Sequence, residues 1–135
     1  MFDAIDTSGT GLSTYRTWLD VLANNIANVN DVSPTSGPAF QAQYVQAQPV
    51  GSGPDGVGHG VEVTGLPKSS PQGVLEYAPD NPAADANGYV RRPDIDMSEQ
   101  MGNLIMAQRG FQANADVVER STDVYKAAIE IGKGL

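Results

Sequence analysis

The 135-residue chain sets 16 acidic residues against 8 lysines and arginines, a formal net charge of −8. With no basic patch, neither nucleic acid nor an anionic membrane surface is expected as a partner. The absence of cysteine excludes disulfides, thiolate metal sites and cysteine nucleophiles, and no apolar run reaches the ~20 residues of a bilayer span.

The N-terminal stretch MFDAIDTSGTG is acidic. It lacks a basic region followed by an apolar one, so a Sec-type signal is not expected. The first helix is predicted from Asp6, Thr7 or Ser8, any of which can cap it, to about Val29. Its apolar positions Leu12, Tyr15, Leu19, Leu22, Ile26 and Val29 follow an unbroken 3–4 heptad alternation. Within it, LANNIANVND (residues 22–31) holds four asparagines in ten residues, although asparagine is a mediocre helix former. Asn24, Asn25 and Asn28 fall off the stripe. In a lone hairpin they face water, where charged residues serve better. In a packed array they face other helices, where an unpaired charge is costly and an amide both donates and accepts. They are therefore expected to be intersubunit hydrogen-bonding positions, with Asn30 ending the helix. Simple helix-end chemistry is the alternative for Asn28.

All nine prolines, and nine of the fifteen glycines, lie between Pro34 and Pro93. That stretch is expected to form short strands and turns. Phe40, Ala42 and Tyr44 alternate with polar neighbours, and residues 51–60, GSGPDGVGHG, read as a turn-rich connection. Residues 61–64 and 74–77 are candidates to pair across residues 65–73. Asn87-Gly88 before Tyr89-Val90 is a hairpin signal. So few apolar side chains do not make a robust independent domain.

The second helix starts at a capping box of Asp96 and Glu99. From Met97 its stripe runs through Met101, Leu104, Gln108, Phe111, Ala115, Val118, Thr122, Tyr125 and Ile129 to Gly132. A second stripe, Ala113, Val117, Val124, Ala127 and Ile131, lies on the other side. A helix apolar on two sides is a buried helix, yet at ~54 Å it outruns its partner. Either the ends fray in a bare two-helix hairpin, or other copies or partner subunits cover the second side. Gly102 and Gly110 are either points of close approach or tolerated defects.

Chemistry finds little purchase. His59, the lone histidine, sits between glycines without ligands at metal-binding spacing. Asp80, Asp85, Asp94 and Asp96 flank prolines, where aspartate makes turns and caps. Lys68-Ser-Ser70 has no sign of a desolvated pocket, and no glycine-rich phosphate loop opens a helix. No catalytic residue, cofactor or metal is expected.

Two stretches resemble a known family. LANNIANVND, with residues 15–20, resembles the N-terminal signature of bacterial flagellar axial proteins. Residues 81–125, NPAADANGYVRRPDIDMSEQMGNLIMAQRGFQANADVVERSTDVY, resemble the C-type proximal rod proteins of the flagellum. Gln100 and Gly102 depart from that family, which often has glutamate and a bulkier side chain there. The resemblance implies a non-enzymatic subunit exported through the flagellar type III apparatus. It also implies polymerisation with copies of itself and other rod proteins into the periplasmic rod that carries torque from motor to hook. The expected fold is mainly α: residues 1–32 and 96–135 form a coiled-coil hairpin, and residues 33–95 an irregular or β middle segment. Candidate interface residues are Leu12, Tyr15, Leu19, Leu22, Asn24, Asn25, Ile26, Asn28 and Val29 on the first helix. On the second they are Met101, Leu104, Gln108, Phe111, Ala115, Val117, Val118, Tyr125 and Ile129. Competing readings are a small helical adaptor or export chaperone that binds a partner helix, and a cell-wall hydrolase.

Overall fold

A computed structural model of the chain describes residues 2–51 and 58–134, so most of the expected 51–60 connection lies outside the described residues. Helix α1 spans Phe2–Ala27 and α2 spans Met97–Lys133. Between them lie β1 (Ser33–Pro34), β2 (Gln46–Pro49), β3 (Val61–Gly65), β4 (Val74–Tyr77) and β5 (Tyr89–Arg92).

The start of α2 is fixed as its sequence demands. Asp96 keeps an extended backbone, and its Oδ1 accepts from the Ser98 and Glu99 amides at 2.8 and 3.2 Å, which satisfies two amides with no intrahelical partner. Helix α1 departs from expectation at its start, running four residues further back than Asp6. Ile5 extends the Leu12, Leu19 and Ile26 row by one heptad and is half-buried, and Ser8 is buried. Packing against α2 thus overrides the capping preference of Asp6, Thr7 and Ser8. At the other end α1 tightens into turns, with Val29 N–H donating to Ile26 O and Asp31 N–H to Asn28 O.

The helices pack antiparallel. Gly11 lies against Asn114, Tyr15 against Gly110, and Asn25 against Gln100. The facing side of α2 is only partly the expected one. Met101 and Gln108 are exposed, and the inward row is Gln100, Ala107, Asn114 and Ser121, flanked by Leu104, Phe111 and Val118. Small and amide side chains let the backbones approach: a methyl group on Gly110 would overlap the Tyr15 ring edge. Gly110 is thus a point of close approach, whereas Gly102 has open space around it.

The strands pair differently from expectation. Strand β3 pairs with β2, and β4 with β5, in sheets ordered β2-β3 and β1-β5-β4, all antiparallel. Residues 65–73 are not a free loop that could bring β3 to β4. Their carbonyls and amides bond to residues 39–44 instead: Ala39 N–H to Pro71 O, Tyr44 N–H to Pro67 O, and Ser69 N–H to Ala42 O, at 2.7–2.9 Å. Proline lacks an amide hydrogen but keeps its acceptor, so this irregular ribbon extends the β2–β3 pair. Ala39 and Ala42 are buried, whereas Tyr44 is exposed. The Asn87-Gly88 signal does close the β4–β5 connection, with Gly88 at φ +82°. The connection is longer than a two-residue turn because Asp85 organises it. Its Oδ1 accepts from the amides of Asn87 and Tyr89, and its Oδ2 from the Thr35 hydroxyl. The core is small: Val21, Leu22, Ala39, Ala42, Val90 and Ala107 are its buried apolar residues among those described.

Candidate subunit interface

Where α1 and α2 face each other, Leu22 is buried and Leu12, Tyr15, Leu19, Ile26, Leu104, Phe111, Ala115 and Val118 are half-buried. Val29, also half-buried, lies beyond the end of α1 and lines a cleft with Val74, Arg92 and Ile95. These residues face partners within the chain. The Gly11–Asn114 and Tyr15–Gly110 contacts share one register, which carries the first turn of α1 to the neighbourhood of Asp123. Residues 124–133 of α2 run past the end of α1, an overhang of about 15 Å at 1.5 Å per residue.

The side of α2 away from α1 carries Arg109, Asp116, Asp123 and Glu130, all exposed, and exposed apolar residues flank it in separate groups. Met97, Met101, Ile105 and Met106 are exposed near its start, Val117 in its middle, and Val124, Tyr125, Ile129 and Ile131 near its end, with Ile131 at 71%. Gly102 lies in the first group. Scattered apolar residues are ordinary on a surface, but Val117, Val124 and Ile131 share one row, and a run of exposed apolar side chains marks an interaction site. The middle segment adds two features. Val74, Leu75 and Tyr77 stand exposed on β4, at an open edge of its sheet. A cleft of about 310 Å³ opens between α1 and the β2–β3 pair, lined by Thr14, Tyr15, Trp18, Val45, Ala47 and Val61.

The asparagines divide. Asn24 is exposed, and its Oδ1 and backbone carbonyl both accept from the Asn28 side chain, at 3.1 and 2.8 Å. Asn30 Oδ1 accepts from Arg92 Nη2, which ties the end of α1 to β5. Asn25 corrects the expectation of an intersubunit amide. It is 1% exposed, and its hydrogen bonds lie within the chain: Nδ2 donates to Gln43 O at 2.8 Å and to Gln100 Oε1 at 3.1 Å, while Oδ1 accepts from Gln43 N–H at 3.0 Å. The heptad stripe alone did not show this, because Asn25 lies on the Gly11 and Trp18 row, which carries no aliphatic signal.

Thr10 is a contact that sequence reasoning missed. Its hydroxyl donates to Thr7 O at 2.7 Å and accepts from Val61 N–H at 3.0 Å, which fastens β3 to α1. Gly60, at φ +106°, packs directly on this threonine. A threonine at a helix surface carries no sequence signal for such a role. Asp85 is a titratable group with a distinct environment. The Tyr89 amide, foremost, and the Thr35 hydroxyl with the Asn87 and Gly88 amides hold its carboxyl below the ordinary value, against a smaller upward pull from desolvation.

Two terminal helices, paired through part of their length, with exposed apolar residues on α2 and a small β segment on one flank, fit a helix-built structural subunit. The family model described as "Flagella basal body rod protein" matches residues 5–33, and "Flagellar basal body rod FlgEFG protein C-terminal" matches residues 86–131. The curated flagellar basal-body rod protein FlgC of Borreliella burgdorferi is 32% identical, covering 99% of both chains. FlgC of Salmonella typhimurium is 32% identical over 98% of both, and FlgC of Bacillus subtilis 27% identical over 98% of both. The chain belongs to the FlgC family of flagellar basal-body rod proteins. That family is structural, and the chain is not an enzyme. No described helix is long and apolar enough to cross a membrane.

Proposed function

We propose that this chain is a subunit of the proximal flagellar rod that polymerises through its terminal helices, in coiled-coil packing, with copies of itself and other rod proteins. In this reading it reaches the periplasm through the flagellar type III export apparatus, and the assembled rod transmits motor torque to the hook, so the chain is needed for flagellum-dependent motility. The observation that carries the reading is the exposed row Val117, Val124 and Ile131 on α2. These three are exposed, and Val124 and Ile131 lie on the stretch of α2 that α1 does not reach, where a neighbouring chain would cover them. Burying each contributes on the order of 1.5–3 kcal/mol. Head-to-tail contacts that do not close on themselves extend an array, and many parallel contacts about an axis resist twisting.

The test is complementation of a strain lacking this protein with Val124→Glu and Ile131→Glu variants. Both are expected to be exported at wild-type levels and to fail in rod assembly and swimming, because a buried unpaired carboxylate is strongly unfavourable. Normal motility with both substitutions together would defeat the reading.

A further inference from the structure

Asn25 lies where three parts of the chain meet. Gln43, in the middle segment, is 18 residues away, and Gln100, in the first turn of α2, is 75 away. The geometry leaves this carboxamide one orientation. A backbone N–H can only donate and a backbone C=O only accept, so Gln43 fixes Oδ1 toward its amide and Nδ2 toward its carbonyl. The remaining Nδ2 hydrogen then meets Gln100 Oε1, and both donors of the amide are used. Aspartate has no donor for the Gln43 carbonyl. Leucine matches the volume but leaves both backbone groups unpaired. Glutamine adds a methylene at a site with almost no free surface.

The apolar rows of α1 and α2 repeat every seven residues, so on their own they tolerate a slip of one heptad. The amide pair does not repeat. A heptad slip one way brings Asn25 opposite Ala107, which offers no side-chain partner. A slip the other way brings it to Pro93, ahead of α2. We propose that Asn25 is a positioning residue: a single buried carboxamide that sets the axial register of α1 on α2 and fastens the middle segment to that pair, coupling the two. Asn24 and Asn28, which bond each other at the surface, take no part.

The test uses the full-length chain with Asn25→Leu and with Asn25→Leu/Gln100→Leu. The double variant replaces both side chains by an apolar pair, which restores the helix contact but leaves the Gln43 backbone groups unpaired. Hydrogen exchange reports residues 39–45. Oxidation of cysteines placed at Gly11 and Asn114, in a chain with no cysteine of its own, reports register. In Asn25→Leu, exchange at residues 39–45 is expected to rise roughly tenfold or more and the disulfide yield to fall. In the double variant, α1 and α2 recover wild-type protection while residues 39–45 stay fast and the disulfide yield stays low. Wild-type exchange at residues 39–45 in either variant overturns the proposal. So does full disulfide yield in the double variant, joint recovery of helices and middle segment, or loss of helix in both variants, since that last result makes Asn25 a general stability residue. A wild-type chain with no protection at residues 39–45 overturns it as well.

Discussion

Gly102 and Gly110 occupy the same helix, and propensity treats them alike: alanine gains about 1 kcal/mol over glycine at an interior helical site. Their surroundings differ. Nothing lies within 4 Å of a methyl group placed on Gly102, whereas at Gly110 the Tyr15 ring occupies the space. Gly102→Ala should therefore raise the thermal midpoint of the isolated chain, and Gly110→Ala lower it, because the overpacking cost of about 1–3 kcal/mol exceeds the propensity gain. Circular dichroism melts of the two variants check the opposite signs. Asp85 sets a pH dependence whose sign follows from its bonds. The Tyr89 amide and its companions hold the folded carboxyl below the ordinary value, and the unfolded chain titrates near 3.9. The folded state then binds fewer protons there. Its stabilising contribution is complete above that ordinary value and is lost as pH falls through it toward the lower folded value. The protection of the Asn87 and Tyr89 amides, taken relative to the intrinsic exchange rate at each pH, should fall on acidification below about pH 4. Asp85→Asn, which keeps the acceptor oxygen, should flatten that response.

At the scale of elements, the two helices were legible because their signals are local and repeated. Asp96 caps α2 as its spacing with Glu99 implied, and the asparagines mark the end of α1 within two residues. The facing side of α2 was legible only in part, through Leu104, Phe111 and Val118. A stripe is chosen from aliphatic residues, but the row facing α1 carries Gln100, Ala107 and Asn114, whose value lies in close approach and hydrogen bonding. Strand pairing was hidden for a similar reason: the prolines of residues 65–73 read as loop, yet their carbonyls accept from residues 39–44. The docking of the β2–β3 pair depends on one hydroxyl with no sequence signature. Thr10→Val keeps the shape and removes the acceptor for the Val61 amide, which costs about 1–3 kcal/mol if that amide is left unpaired. Exchange at Val61 should accelerate, and protection in α2 should hold. Thr10→Ser should restore the slow exchange, because it returns the oxygen.

At the scale of the whole molecule, one length decides the behaviour. Helix α1 covers α2 only as far as the neighbourhood of Asp123, and residues 127–134 are all exposed. A helical end this short has marginal stability in water without tertiary support, and its surface ion pair, Lys126 with Asp123 at 3.5 Å, adds little. The end is therefore almost irrelevant to the stability of the single chain while carrying Ile129 and Ile131 as uncovered apolar surface. Deletion of residues 127–135 separates the two roles. The Gly11–Asn114, Tyr15–Gly110 and Asn25–Gln100 contacts all survive, so the melting midpoint of the truncated chain should stay within about 2 °C of the full-length one, the shift expected for less than 1 kcal/mol. Rod assembly, read by motility and by recovery of the chain in purified basal bodies, should be lost, because each apolar side chain removed forfeits on the order of 1.5–3 kcal/mol of contact with a neighbour. A truncated chain that melts much earlier would place those residues in the fold of the single molecule. A truncated chain that still builds rods would move the assembly surface to the outer face of α2 around Met101 and Ile105, or to the open edge of β4.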